Sequence, residues 1–225
     1  MGDEKSPQYY FNIREDLIRL IPLQAKNILE VGCAAGMTGK ALKERGLAEI
    51  VGIEVNKEVA QKAQSYYDKL IVGDVEKIKL PFKKTHFDCI LYGDVLEHLV
   101  DPWKLLEEHK ILLKKGGIII CSIPNVRHYR VIKKLIFQGE WEYAASGIMD
   151  RAHLRFFTLN SIRRMLKEAG FEIKEIKGLI RRPNSFHWLK LLNRLFWNRL
   201  RDFLVRQYIV VAVKKEEIKE WQASM

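Results

Sequence analysis

The sequence predicts an α/β fold: a mostly parallel sheet with helices on both faces. Three observations lead there. Short, uniformly apolar runs alternate with amphipathic stretches from residue 26 to residue 123, as expected of strands buried on both sides and joined by crossover helices. Caps and breakers fall between them, with Asn56 before one helix, Asp101-Pro102 before another and Gly46 after a third. The first three runs also end at a glycine or an acid, the carboxyl edge where open α/β sheets bind ligands.

Taken in order, residues 9–21 (YYFNIREDLIRLI) read as an amphipathic helix stopped by Pro22. KNILEV at 26–31 is a strand, Gly32 to Gly36 a small-residue loop, and Thr38 to Arg45 a helix. Ala48 to Glu54 is the second strand, followed by a helix from Asn56 through Tyr67, and KLIV at 69–72 is the third. FDCILY at 87–92 is the fourth, followed by a helix to Leu113 that Gly116-Gly117 closes off, and Ile118 to Ile123 is the fifth. After Pro124 the rhythm changes. Residues 127–137 read as helix, 139–157 have no clear period, and Thr158 or Asn160 caps a helix to Ala169. Phe171 to Ile180 is a strand, 185–205 a basic amphipathic helix, and Gln207 to Lys214 the last strand.

With 225 residues, 48% hydrophobic and 30% charged, the chain reads as one globular domain (1–225) rather than a disordered or low-complexity protein. Its apolar runs fall far short of the ~20 residues needed to span a bilayer. The first residues, MGDEK, do not lead into a signal peptide, so a cytoplasmic location is expected. Cys33, Cys89 and Cys121 form no CxxC pair and read as buried free thiols, and no metal-ligand spacing is apparent. Residues 1–122 hold 18 basic and 18 acidic side chains, so the whole net charge of +11 lies beyond them.

The loop after the first strand, ILEVGCAAG, offers small residues and a helix N-terminus to a ligand. It departs from the dinucleotide spacing G-x-G-x-x-G, with Gly32, Ala34 and Met37 at those places, which disfavours a nicotinamide dehydrogenase. Together with FDCILYGDVLEHLVDP and GGIIICSIPN, this loop resembles the class I S-adenosylmethionine-dependent methyltransferases. Alanine stands at position 34 where that family usually has glycine. DRAHLRFFT, followed by a helix and Gly-Phe, is similar to a subgroup often associated with glycan and small-molecule modification.

The resemblance implies a seven-stranded Rossmann-like sheet with an antiparallel last strand, and S-adenosylmethionine as cofactor. Carried over residue by residue, Glu30, Gly32, Cys33, Ala34 and Gly36 would line the methionine part. Glu54 would hold the ribose, with Val55 beside the adenine and Asp74 and Val75 at its edge. Tyr92, Gly93 and Asp94 would border the sulfonium, with Tyr9 or Tyr10 closing over it.

His98 follows Asp94 by one helical turn, where a histidine could take a proton from the acceptor. The reading of Glu97-His98 as a packing and capping element is the favoured one. The insert at 125–157 faces the cofactor in this fold. It makes His128 and His153 catalytic candidates and Asn125, Tyr129, Arg151 and Arg155 substrate-binding ones, although the arginines could instead pair with Asp150 or Glu142. The insert at 181–206 carries a net charge of +6 and a broad apolar face. It fits a helix packed on its own domain, a homodimer contact, an anionic membrane surface or, less well, nucleic acid. The expected reaction is methyl transfer to a small molecule, sugar or lipid-linked glycan, by preference to oxygen. The alternatives are an RNA methyltransferase and a catalytically silent cofactor-binding protein.

Overall fold

The computed structural model describes residues 11–46, 49–180 and 201–215. Strands β1 (Asn27–Val31), β2 (Glu49–Glu54), β3 (Lys69–Val72), β4 (Phe87–Gly93), β5 (Leu113–Pro124), β6 (Phe171–Leu179) and β7 (Gln207–Lys214) form one sheet in the order β3-β2-β1-β4-β5-β7-β6. The first five pair in parallel. β7 runs antiparallel to both its neighbours, β5 and β6. The expected seven-stranded sheet with an antiparallel last strand is therefore the observed one.

Alternation along each strand feeds two cores. Leu29, Val51, Ile90, Ile119 and Val210 face one side, while Ile28, Ile50, Leu91, Ile120 and Ile209 face the other. The first side is covered by α4 (Pro102–Leu112) through Leu105 and Leu106, and by α6 (Leu159–Glu168) through Ile162, Met165 and Leu166. The second is covered by α1 (Glu15–Ile18) through Leu17 and Ile18, and by α2 (Met37–Glu44) through Leu42. Such uniformly apolar strands satisfy their backbone only inside a sheet covered on both faces.

The caps are where the residue types place them. Asn56 Oδ1 accepts from the N–H groups of Glu58 and Val59 to open α3 (Lys57–Ala63). Asp101 Oδ1 accepts from Lys104 N–H ahead of α4. Thr158 and Ser161 exchange hydrogen bonds as a capping box for α6. The 127–137 expectation corresponds to α5 (Tyr129–Gln138).

Two elements differ from expectation. Of the predicted helix at 9–21, residues 9 and 10 lie outside the described set, 11–14 are not helical, and only Glu15–Ile18 is. Apolar spacing alone overextended it, because Arg14 takes a non-helical conformation and sends its side chain to Asp94. β5 begins at Leu113, immediately after α4, rather than at Ile118. The Gly116-Gly117 breaker lies inside the strand, where Gly116 has φ +71° and the register against β4 shifts between Phe87 and Cys89.

The basic insert at 181–206 lies largely outside the described residues; α7 (Arg201–Leu204) is its described end. No described helix is long and apolar enough to cross a membrane.

Candidate active site

The carboxyl edges of β1 and β2 are built around backbone geometry. Gly32 and Gly36 have φ of +73° and +83°, and a Cβ on Gly36 would stand 2.9 Å from Ala63 Cα. Side chains rarely adopt such conformations, so these positions require glycine. Ala34 shares the left-handed conformation at φ +48°.

Glu54, at the end of β2, clasps the loop. Its Oε2 accepts from Ala34 N–H and its Oε1 from Asn56 N–H, both at 2.9 Å. Each oxygen retains a lone pair that can accept from a ribose hydroxyl. Val55 beside it is 68% exposed, an apolar face available to a purine. Asp74 accepts from Glu76 N–H and pairs with Lys77, which with that backbone bond holds its carboxyl below the usual range.

Glu30 is buried under Tyr67, whose hydroxyl donates to it at 2.6 Å. Burial pushes the Glu30 carboxyl up to about 7, against the hydrogen bonds from Tyr67 and Thr38.

Three predicted cofactor contacts need correction at the side-chain level. The Cys33 thiol is buried among the core residues, with its pKa raised by burial, and its N–H donates to Ile53 C=O. Val75 is likewise part of the core. The Tyr92 ring is fully buried and its hydroxyl meets His109 Nδ1 at 2.7 Å. Strand alternation decides this: Tyr92 shares its face with Ile90. Tyr9 and Tyr10 lie outside the described residues.

Beyond β4, Gly93 leads into Asp94, which has φ +58° and sits at the centre of a polar network. Arg14 Nη1 donates to Asp94 Oδ2 at 2.6 Å and Arg14 Nη2 to Ser122 Oγ at 2.9 Å. Ser122 Oγ donates to Asp94 Oδ1, and the Gln207 amide donates to both residues. Burial lifts the Asp94 carboxyl while Arg14 and Ser122 pull it back. Sequence reasoning missed Arg14, Ser122 and Gln207. Only the burial-prone position of Arg14, in an otherwise amphipathic run, hinted at it.

The expected Asp94–His98 helical face does not form. Asp94 is left-handed, and the chain then makes a short 3-10 turn, Leu96–His98. His98 Nδ1 instead lies 3.0 Å from Ala152 C=O, and its ring meets His153 edge-on at 4.7 Å. His153 Nε2 stands 4.0 Å from Glu97 Oε1. The peptide N–H groups of Leu154 and Arg155 donate to Glu97 C=O at 2.8 and 3.0 Å, stapling the 150–155 loop to the turn. Glu97, His98 and His153 thus form a cluster that no sequence spacing disclosed.

Several acceptor-side expectations prove structural. Asn125 is fully buried; its amide donates to Asp202 and Val205 C=O and its Oδ1 accepts from Arg127 N–H. That leaves no donor for a substrate. His128 Nδ1 caps α5 by accepting from Arg130 N–H, and burial pushes its pKa down to about 4, aided by Arg130 and Arg206. With its lone pair engaged it is not placed to act as a general base. The Arg155 guanidinium is held on Val100 C=O. The Tyr129 ring meets His128 at a tilt and its hydroxyl accepts from Arg130, and Arg151 is an exposed loop residue.

The described fold agrees with what known proteins show. Residues 7–176 match the methyltransferase domain family, and the chain belongs to that family. A ubiquinone biosynthesis O-methyltransferase of Cereibacter sphaeroides is 26% identical over 179 residues, covering 77% of this chain and 71% of that protein. An uncharacterized protein of Methanocaldococcus jannaschii is 32% identical over 151 residues, 67% of this chain and 65% of its own length. Among solved structures, an S-adenosylmethionine-dependent methyltransferase of Archaeoglobus fulgidus superposes with TM-score 0.67 at 19% identity, covering 92% of this chain and 97% of that one. One from Mesorhizobium loti gives 0.62 at 16% identity, covering 89% and 96%. At these identities the structures establish the fold.

Proposed function

We propose that this chain transfers the methyl group of S-adenosylmethionine to a hydroxyl oxygen of a small molecule, sugar or lipid-linked glycan. S-adenosylmethionine is the cofactor of this class of enzyme, and the residues present suit it. Glu54 offers acceptor oxygens for a ribose and Val55 an exposed apolar face for the adenine. The Gly32–Gly36 loop brings its backbone close enough to hold an amino-acid moiety. When bound, the cofactor supplies an electrophilic methyl carbon on a sulfonium.

The acceptor must be aligned behind that carbon and, if it is a hydroxyl, must lose a proton. Positioning by the β4 and β5 edges supplies most of the expected acceleration. The observation that carries oxygen as the acceptor atom is the relative named as an O-methyltransferase, matched over 77% of this chain. The resemblance of DRAHLRFFT to a glycan- and small-molecule-modifying subgroup supports the substrate class.

The test is calorimetry with S-adenosylmethionine, followed by demethylated-cofactor release assays with catechol, sugar-hydroxyl, amine and RNA acceptors. One cofactor site per chain is expected, weakened in Glu54→Ala by roughly 1–3 kcal/mol, together with turnover on a hydroxyl acceptor. Turnover on RNA or amines alone would overturn the acceptor assignment. Cofactor binding without turnover on any acceptor class would favour the silent binding protein.

A further inference from the structure

We propose that Trp141 and Tyr143, with the carboxylate of Glu140, form a subsite that seats a sugar ring of the methyl acceptor. That the ring belongs to a methyl acceptor rests on the methyl-transfer reading; the subsite itself rests on the geometry of residues 139–156.

This segment is tied at both ends. α5 stops at Gly139, which is left-handed with φ +67°. Glu140 N–H then turns back to Lys134 C=O at 3.3 Å, and the Lys134 ammonium reaches on to the Glu142 carboxylate. Beyond Tyr143, Ala144 N–H donates to Met149 C=O at 2.7 Å and Arg151 N–H to Ala144 C=O at 3.0 Å, so the following loop is closed on itself. Between the two ties, the Trp141 ring meets Phe156 edge-on at 5.2 Å, and Tyr143 meets the same ring at 6.1 Å. The next residue, Phe157, is buried and bridges to Asn125 just past β5. Phe156 therefore fixes two outer rings to the body of the domain.

Those fixed rings are left half in water: Trp141 is 40% exposed and Tyr143 44%. Rings of this size contribute most when covered, and a contiguous exposed apolar surface marks a place for a ligand. An open cleft of about 300 Å³ lies against Trp141, with Glu140 and Glu142 as its other walls.

The alternation Glu140-Trp141-Glu142-Tyr143 selects the occupant. A hydrocarbon chain gains nothing from two carboxylates, and an anionic surface is repelled by them. A cation suits aromatic faces, but Lys134 already neutralises Glu142. A sugar ring carries both required chemistries. Its C–H groups lie flat on an aromatic plane, and the hydroxyls around its edge donate to carboxylate oxygens, which only accept. The exposed Glu140 carboxylate is adjacent to Trp141 for that purpose.

The platform stands on the acceptor side. Phe156 lies 6.3 Å from the His153 ring, and His153 Nε2 lies 4.0 Å from Glu97 Oε1, three residues past Asp94. The peptide N–H groups of Leu154 and Arg155 hold the same strand of chain on Glu97 C=O. Trp141 and Tyr143 thus serve recognition of the acceptor and touch no reacting atom.

The test uses the full-length chain without cofactor and the methyl glycosides of glucose, mannose, galactose and rhamnose as probes. Calorimetry should show binding of at least one, and saturation-transfer NMR should place its ring C–H protons against the protein. Trp141→Ala and Tyr143→Ala should each weaken binding roughly fivefold or more, the scale of losing one stacked ring. Glu140→Gln should weaken it roughly two- to tenfold. Trp141→Phe should retain most of the affinity, and Phe137→Ala, which removes an exposed apolar side chain of α5, should leave it unchanged. Circular dichroism separates lost binding from lost folding. No binding of any glycoside, affinity unchanged in folded Trp141→Ala and Tyr143→Ala, or Trp141-dependent binding of tetramethylammonium in place of every glycoside would overturn the subsite. Glycoside binding by a chain that does not bind S-adenosylmethionine would sustain the subsite and defeat the methyl-transfer reading. Turnover on a hydroxyl acceptor with KM unmoved by Trp141→Ala would overturn the subsite and leave that reading standing.

Discussion

The two halves of the sheet's carboxyl edge are built differently. At β1 and β2 the site is made by neighbours in sequence: Glu54 holds Ala34, twenty residues away, and Asn56, two residues away. At β4 and β5 it is made by distant partners: Asp94 meets Arg14 and Gln207, 80 and 113 residues off, and His98 meets Ala152, 54 off. The first half is shaped by backbone geometry, which small residues announce. The second is shaped by side chains whose meaning depends on what the fold brings opposite them.

The sharpest way to break this contrast is at the loop. Gly36→Ala puts a methyl group against the backbone of Ala63 in a left-handed conformation. Adding roughly 1–2 kcal/mol for the conformation to roughly 1–3 for the overlap, the variant should lose about 2–5 kcal/mol in urea unfolding, and with it cofactor binding. A stable variant that still binds would mean the loop is not shape-determined.

Glu30 tests the same half by pH. Its carboxyl titrates near 7 when folded and near 4.5 when unfolded, so the folded state holds the extra proton between these values. Stability should therefore fall as pH rises from about 4.5 to about 7, and level off above. The full contribution is roughly 3 kcal/mol. Unfolding of Glu30→Gln should show a correspondingly shallower slope, and an identical slope would place the titration elsewhere.

On the other half, Asn125→Ala leaves the carbonyls of Asp202 and Val205 and the N–H of Arg127 without their partner. A loss of about 2–3 kcal/mol is expected, visible as a lowered midpoint with unchanged cofactor affinity. Full stability with a raised KM for the acceptor would restore the substrate-binding role.

The smallest effect expected is a gain. Ala34→Gly relieves a left-handed alanine, offset by the added freedom of the unfolded chain, for a net stabilisation of up to about 1 kcal/mol. A decrease would show that the Ala34 methyl group packs usefully.

The same contrast explains what was legible in the sequence. Strands β1 to β4, the caps at Asn56 and Asp101, and the glycine loop follow from local rules, and they stand where those rules put them. Glu54 and Val55 stand where the sequence puts them because the end of β2 fixes their place. His128 and Asn125 were misjudged because polarity in an irregular segment looks the same whether it serves a ligand or caps a helix; only the partners Arg130, Asp202 and Val205 decide. Tyr92 was misjudged by one step of strand alternation, which a residue beside a motif does not reveal. The Glu97–His98–His153 cluster joins a turn to a loop across 55 positions, and nothing in either segment names the other.

The strand order has a consequence for how this protein is made. β7 lies between β5 and β6, so β6 has no place in the sheet until the later strand has been inserted. A growing chain that has emerged only through β6 presents β5 as an open, strongly apolar edge, the kind of surface that invites wrong pairings. It also holds Asp94 without Gln207, the first residue of β7. Completion of the sheet and completion of the polar centre are thus one event, timed by the emergence of β7, and a ribosome stalled before residue 207 holds Asp94 and Ser122 without their Gln207 partner.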